Sequence, residues 1–144
     1  MDDEFDKFVQ ELQEEIDQEV RENFSPNALD LIKNKYNWGK LNDANATSRY
    51  TGPCGDTMEF FLKINNEGII NDARFQTNGC NPTIASGSQT TLLIIGKTIE
   101  NAKSLTSDDI MKAIGKLPPE NSHCPELANR ALKKALDDYD SKKK

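Results

Sequence analysis

The sequence predicts an α+β domain with helices gathered on one face of an antiparallel sheet. Three observations predict it. Apolar residues recur at helical spacing toward both ends of the chain, and a short middle stretch alternates apolar with polar residues. The elements also come in the order helix, helix, strands, then helices. A length of 144 residues suits one domain around one core.

The elements follow in order. Phe5, Phe8, Val9, Leu12, Ile16, Val20 and Phe24 repeat at helical steps, which predicts an amphipathic helix over residues 3–24. Its narrow apolar stripe suits docking on its own domain better than a partner or a second copy. Ser25 as cap and Pro26 at the first helical position start a short helix to about Lys35. Residues 37–47 read as loop. Over residues 57–64, Met58, Phe60, Leu62 and Ile64 face one way and Glu59, Phe61 and Lys63 the other. The turn Asn65-Asn66-Glu67-Gly68 then leads into a second strand over 69–78, giving a hairpin. A further strand precedes it near Ser48 to Thr51.

After Cys80, Asn81 and Pro82 read as cap and first residue of a helix running through Ile84, Ala85 and Leu92 to Ile95. It is almost free of charge, so it is the expected buried helix, and Gly96 ends it. Thr98 caps a short helix, and Thr106 or Ser107 another, with Asp108 and Asp109 in the first turn. Leu117-Pro118-Pro119 breaks the chain before a last helix from about Pro125 to Tyr139.

Charge and composition exclude several classes. The formal net charge is −6, and ten acids against two bases fall within residues 1–24, so the body of the chain is close to neutral. No basic stripe with interleaved aromatics supports nucleic-acid binding. No apolar run approaches the roughly 20 residues of a membrane span. The acidic start lacks the features of a secretory signal or a transit peptide, which makes cytoplasmic the default location. Three widely spaced cysteines do not make a disulfide framework.

Each cysteine sits at an expected element boundary. Cys54 lies between Gly52-Pro53 and Gly55-Asp56, Cys80 between Gly79 and Asn81-Pro82, and Cys124 between His123 and Pro125. With Pro125 as first helical residue, Cys124 is the cap, where the helix dipole and free N–H groups favour thiolate. His123 is the only histidine, and Asp56 stands two residues from Cys54. Three thiolates, an imidazole and a carboxylate supply four ligands to zinc or to the two irons of a [2Fe–2S] cluster. Neither zinc-finger nor ferredoxin spacing is present, so the site is one built by tertiary folding.

These residues also carry a family resemblance. Gly52-Pro53-Cys54-Gly55-Asp56-Thr57-Met58, Ala73-Arg74-Phe75-Gln76-Thr77-Asn78-Gly79-Cys80, Ile84-Ala85-Ser86, Gly96-Lys97-Thr98, Leu117-Pro118-Pro119, His123-Cys124 and Leu127-Ala128 resemble, in unbroken order, the IscU-type scaffold proteins of iron–sulfur cluster assembly, also called the NifU N-terminal-domain family. The resemblance implies a three-stranded antiparallel sheet packed against helices, with the acidic helix of residues 1–24 as an extension. Residues 25–140 form the scaffold domain, and 141–144 a flexible Lys-rich tail. It implies a carrier and not an enzyme. A cysteine desulfurase delivers sulfur as persulfide, a transient [2Fe–2S] cluster forms, and the cluster passes to apo iron–sulfur proteins. Cys54, Cys80 and Cys124 are the implied ligands, and Cys124 the implied persulfide acceptor. Asp56 corresponds to the carboxylate that keeps the cluster labile, and His123 to the histidine beside the last cysteine. The fourth ligand stays open between Asp56 and His123, as does homodimerisation.

Zinc often fills this site in the family when no cluster is present, and a zinc-bound sulfur acceptor is the alternative function. His123 and the 43 residues between Cys80 and Cys124 match the IscU type and not the SufU type, which carries an insertion there and lacks the histidine. The family's Leu-Pro-Pro-Val-Lys chaperone motif reads Leu117-Pro118-Pro119-Glu120-Asn121 here, which puts chaperone recognition in question. Asn81 stands where the family has Gly or Ala. A thiol enzyme using Cys124 and His123 ranks far lower, because adjacent residues rarely form an oriented nucleophile–base pair.

Overall fold

The alternation over residues 57–64 becomes a strand with one face entirely inside. In the computed structural model, which describes residue 4, residues 6–12 and residues 23–143, Met58, Phe60, Leu62 and Ile64 are all buried. Helix α1 (Pro26–Asn34) is followed by strands β1 (Ala46–Thr51), β2 (Thr57–Ile64) and β3 (Ile70–Thr77). Helices α2 (Asn81–Ile94), α3 (Ile99–Lys103) and α4 (Ser107–Ile114) come next, then a 3-10 turn (Pro119–Asn121) and the long α5 (Cys124–Lys143). The strands form one antiparallel sheet in the order β1-β2-β3. The predicted α+β class holds.

A register shift at Lys63/Ile64 leaves Asn71 without a partner, so Ile70 and Ala73, three apart, both reach the core. The inner face of the sheet packs on α2 and α5 through Phe60, Leu62, Phe75, Ala128, Leu132 and Leu136. Ala28, Leu31, Ile110 and Ile114 make a second core of α1 and α4 against Ala85 of α2. Helix α2 is the buried helix foreseen, and its hydroxyls bond back into its own turns. Ser86 donates to the Pro82 carbonyl and Thr90 to that of Ser86. Leu92 departs from the expectation, being 45% exposed on the outer side of the same helix.

Both sheet edges are covered, which blocks strand addition by another chain. On the β1 edge, Asp138 of α5 accepts from the Thr47 amide (3.0 Å) and Lys134 donates to the Arg49 carbonyl (2.9 Å). On the β3 edge, Phe75 exchanges backbone hydrogen bonds with Asn37 and Gly39, and the Trp38 ring meets that of Phe75 edge-on.

Several boundaries differ from the sequence reading. The cap of α2 is Cys80, and Asn81 is already helical, so Pro82 takes the second helical position. Helix α5 begins at Cys124, and the His123 carbonyl accepts the first helical bond, from Leu127. Cys124 is therefore inside the helix and not its cap. Helix α5 also continues through Lys143, so residues 141–143 extend it where a frayed tail was expected. At the other end residues 6–12 are helical with Phe8, Val9 and Leu12 exposed, while Phe24 of the same apolar stripe packs against the second core. Phe5, Ile16 and Val20 of that helix lie outside the described residues.

Candidate metal centre

Three element junctions meet at one end of the molecule. The first is the β1–β2 turn, held by hydrogen bonds from the Gly52 amide to the Asp56 carbonyl and from the Gly55 amide to the Gly52 carbonyl. Gly55 has φ +90, a conformation that costs glycine little, and it bends the turn so that Cys54 and Asp56 flank it. Gly52 is buried. A β-carbon there would stand 3.0 Å from Leu127 Cδ1, so glycine permits the turn to lie against the first turn of α5.

The second junction is the start of α2, which carries Cys80, and the third is the start of α5, which carries His123 and Cys124. Thr83, one turn into α2, joins all three. Its hydroxyl donates to Asp56 Oδ2 at 3.1 Å and lies 3.4 Å from Cys124 Sγ and 4.0 Å from Cys80 Sγ. His123 Nε2 lies 3.9 Å from Cys124 Sγ. Cys54 and His123 face an adjoining cavity of about 280 Å³, lined also by Tyr50, Glu126, Leu127 and Arg130. Arg130 is tied there to Glu126 (2.8 Å).

The three thiols differ in access. Cys54 and Cys80 are exposed, while Cys124 is fully buried. Burial pushes the Cys124 thiol above its ordinary pKa. The Thr83 hydrogen bond works in the opposite direction, and the nearby Cys80, Asp56 and Cys54 add to the rise. A position at the helix end predicts a shift toward thiolate, and the direction found is the opposite one.

The structure thus brings Asp56, Cys80 and Cys124 around one hydroxyl, with Cys54 and His123 on the open side. Among the described residues no three His, Cys, Asp or Glu side chains already stand at metal-binding distances. Closing the set on an ion needs side chains to turn inward. The donors suit iron or zinc: thiolates and imidazole are intermediate-to-soft ligands, and the carboxylate is a hard one. The sequence reading passed over Thr83 and the cavity wall of Tyr50, Glu126 and Arg130. For Thr83 a signal existed, since it stands three residues after Cys80, one turn into the helix Cys80 caps.

Comparison with known proteins identifies the family of the chain. The model of the NifU-like N terminal domain matches residues 23–144. The iron–sulfur cluster assembly scaffold protein IscU of Escherichia coli K12 is 41% identical over 124 residues, covering 83% of this chain and 96% of the relative. A protein of the same name from Aquifex aeolicus is 41% identical over 118 residues, covering 81% and 75%. The crystal structure of the N-terminal part of a nitrogen-fixing NifU-like protein from Brucella abortus shares the fold with a TM-score of 0.69. That match has 18% identity and covers 85% of this chain and 98% of the other. The chain belongs to the NifU-like N-terminal-domain family.

Proposed function

We propose that this member of the family is a scaffold on which an iron–sulfur cluster of the [2Fe–2S] type is built and then given to apo iron–sulfur proteins. The observation that carries the reading is the convergence of Asp56, Cys80 and Cys124 on Thr83, with Cys54 and His123 on the adjoining cavity. The cluster is cargo, and the chemistry asks the chain to accept sulfur, hold iron and let go.

Sulfur arrives as a persulfide on a cysteine desulfurase. A thiolate of the scaffold attacks the outer sulfur, the donor's S–S bond breaks, and the donor cysteine leaves as thiolate. Each sulfur then needs two electrons, from a thiol or a reduced ferredoxin, to become sulfide. Cys124 is the acceptor in this reading. Its buried sulfur requires the β1–β2 turn or the first turn of α5 to move during transfer. Cys54, exposed on the cavity, can be reached without such movement.

Release follows from the ligand set. Three thiolates with one carboxylate or imidazole, two of the cysteines exposed, hold a cluster less tightly than four buried thiolates. Asp56→Ala is expected to lengthen the lifetime of the cluster, and faster loss would remove that role from Asp56.

The test is anaerobic reconstitution of the full chain with iron, cysteine and a cysteine desulfurase. The expected product is brown, with about two irons and two sulfides per cluster. A colourless protein that keeps stoichiometric zinc throughout would replace the proposal with a zinc-bound sulfur acceptor.

A further inference from the structure

Thr83 belongs to no ligand type, yet it touches more of the candidate centre than any single ligand does. Its side chain is fully buried. Three surroundings fix its orientation. As a β-branched residue in a helix it has few side-chain rotamers. Its amide and that of Ile84 both bond to the Cys80 carbonyl, which locks the turn. Gly79 lies flat over it: a β-carbon at Gly79 would stand 2.7–2.8 Å from the Cβ, Cγ2 and Oγ1 atoms of Thr83. The hydroxyl is therefore a rigid donor aimed at Asp56 Oδ2, 3.1 Å away.

Asp56, in contrast, sits on a glycine turn and is only half-buried, so its carboxylate has freedom to leave the centre. We infer that Thr83 is a positioning residue for the metal centre: its hydroxyl holds the Asp56 carboxylate beside Cys124 and Cys80, where it serves as the oxygen ligand. This inference rests on the reading of the site as a metal centre. Without the hydroxyl, the carboxylate turns toward solvent and the metal is held by sulfur and imidazole alone. The geometry also accounts for the side chain's size. A valine fills the same space under Gly79 but offers no donor, and a serine offers the donor without the methyl.

The experiment uses zinc alone as the probe. Zinc affinity of the full chain is measured by competition with a chromophoric chelator for the parent, Thr83→Val, Thr83→Ser, Asp56→Asn and the Thr83→Val/Asp56→Asn pair. Far-UV circular dichroism of the metal-free proteins confirms that each is folded. The expected result is a loss of about tenfold in Thr83→Val, recovery in Thr83→Ser, and no further loss when Asp56→Asn is added to Thr83→Val. Cobalt(II) absorption of Thr83→Val should keep its thiolate charge-transfer bands while the d–d bands move to match those of Asp56→Asn. Zinc affinity unchanged in Thr83→Val, independent and additive losses in the pair, or failure of serine to restore binding would each overturn the inference. Those results leave the metal centre standing, because the parent still binds. A parent chain that binds no zinc or cobalt would instead remove the metal centre, and the inference with it.

Discussion

At Cys124 two effects act on one sulfur. The start of α5 favours thiolate, and burial of the sulfur beside Thr83 disfavours it. Burial is the largest influence and pushes the thiol above its usual range, with the Thr83 hydrogen bond opposing it. Alkylation followed by mass spectrometry should therefore show Cys124 reacting at least about tenfold more slowly than Cys54 and Cys80 in the folded chain. All three should react alike in denaturant. Equal rates in the folded chain would contradict the buried placement. The five candidate ligands were legible because glycine, proline and cap positions mark the ends of elements wherever they fold. The burial of Cys124 was not legible. It arises from tertiary packing that brings Thr83, 41 residues away in sequence, against its sulfur, and local sequence does not announce that. Thr83 carries only a partial signal, its place one turn after Cys80, because its partners Asp56 and Cys124 stand 27 and 41 residues away in sequence.

The elements carry their own tests. Gly87 lies in the middle of α2, and a β-carbon there would come within 2.4 Å of the Phe75 ring. Helix propensity favours alanine by about 1 kcal/mol, but overpacking costs about 1–3 kcal/mol. Because the clash is with a ring held between Trp38 and the helix, Gly87→Ala should lower the urea midpoint, and a raised midpoint would contradict the packing. Asp138 closes the β1 edge. The Thr47 amide holds its carboxyl below the ordinary carboxylate range, and Lys142 reinforces this. A depressed carboxyl contributes stability above its unfolded pKa of about 3.9, and that contribution is lost as pH falls through the folded value. Asp138→Asn should cost about 1 kcal/mol at neutral pH and nothing at the acid end of that window. A deficit that persists unchanged at low pH would mean the carboxylate is not the cause. Hydroxyl caps were readable, since Ser25, Thr98 and Thr106 all accept from their helices and Thr106 forms a full capping box with Asp109, whereas Asn81 and Cys124, read as caps, lie inside theirs. Leu92 was misread because a helix nearly free of charge gives no sign of which side faces out.

At the scale of the molecule, the fold sets an open, loop-built site on a rigid sheet-and-helix base. No helix among the described residues is long and apolar enough to cross a membrane. The overall class was legible from element order and from the single clean alternation of β2. Of the acidic N-terminal stripe, Phe8, Val9 and Leu12 are exposed and Phe24 packs against the second core, while Phe5, Ile16 and Val20 lie outside the described residues. Metal binding should stabilise the whole chain by mass action. Zinc at a hundredfold excess over its Kd adds about 2.7 kcal/mol, a rise in Tm of roughly 5–10 °C. No rise at that excess would mean that zinc does not prefer the folded chain. The function proposed for the chain is to hold a cluster in order to give it away. The most direct measurement mixes the reconstituted full chain with an apo-ferredoxin, with an iron chelator present, and follows the ferredoxin's visible circular dichroism. The expected result is transfer to the ferredoxin that the chelator does not intercept. A cluster that stays on this chain, or reaches the ferredoxin only when the chelator is left out, would contradict it.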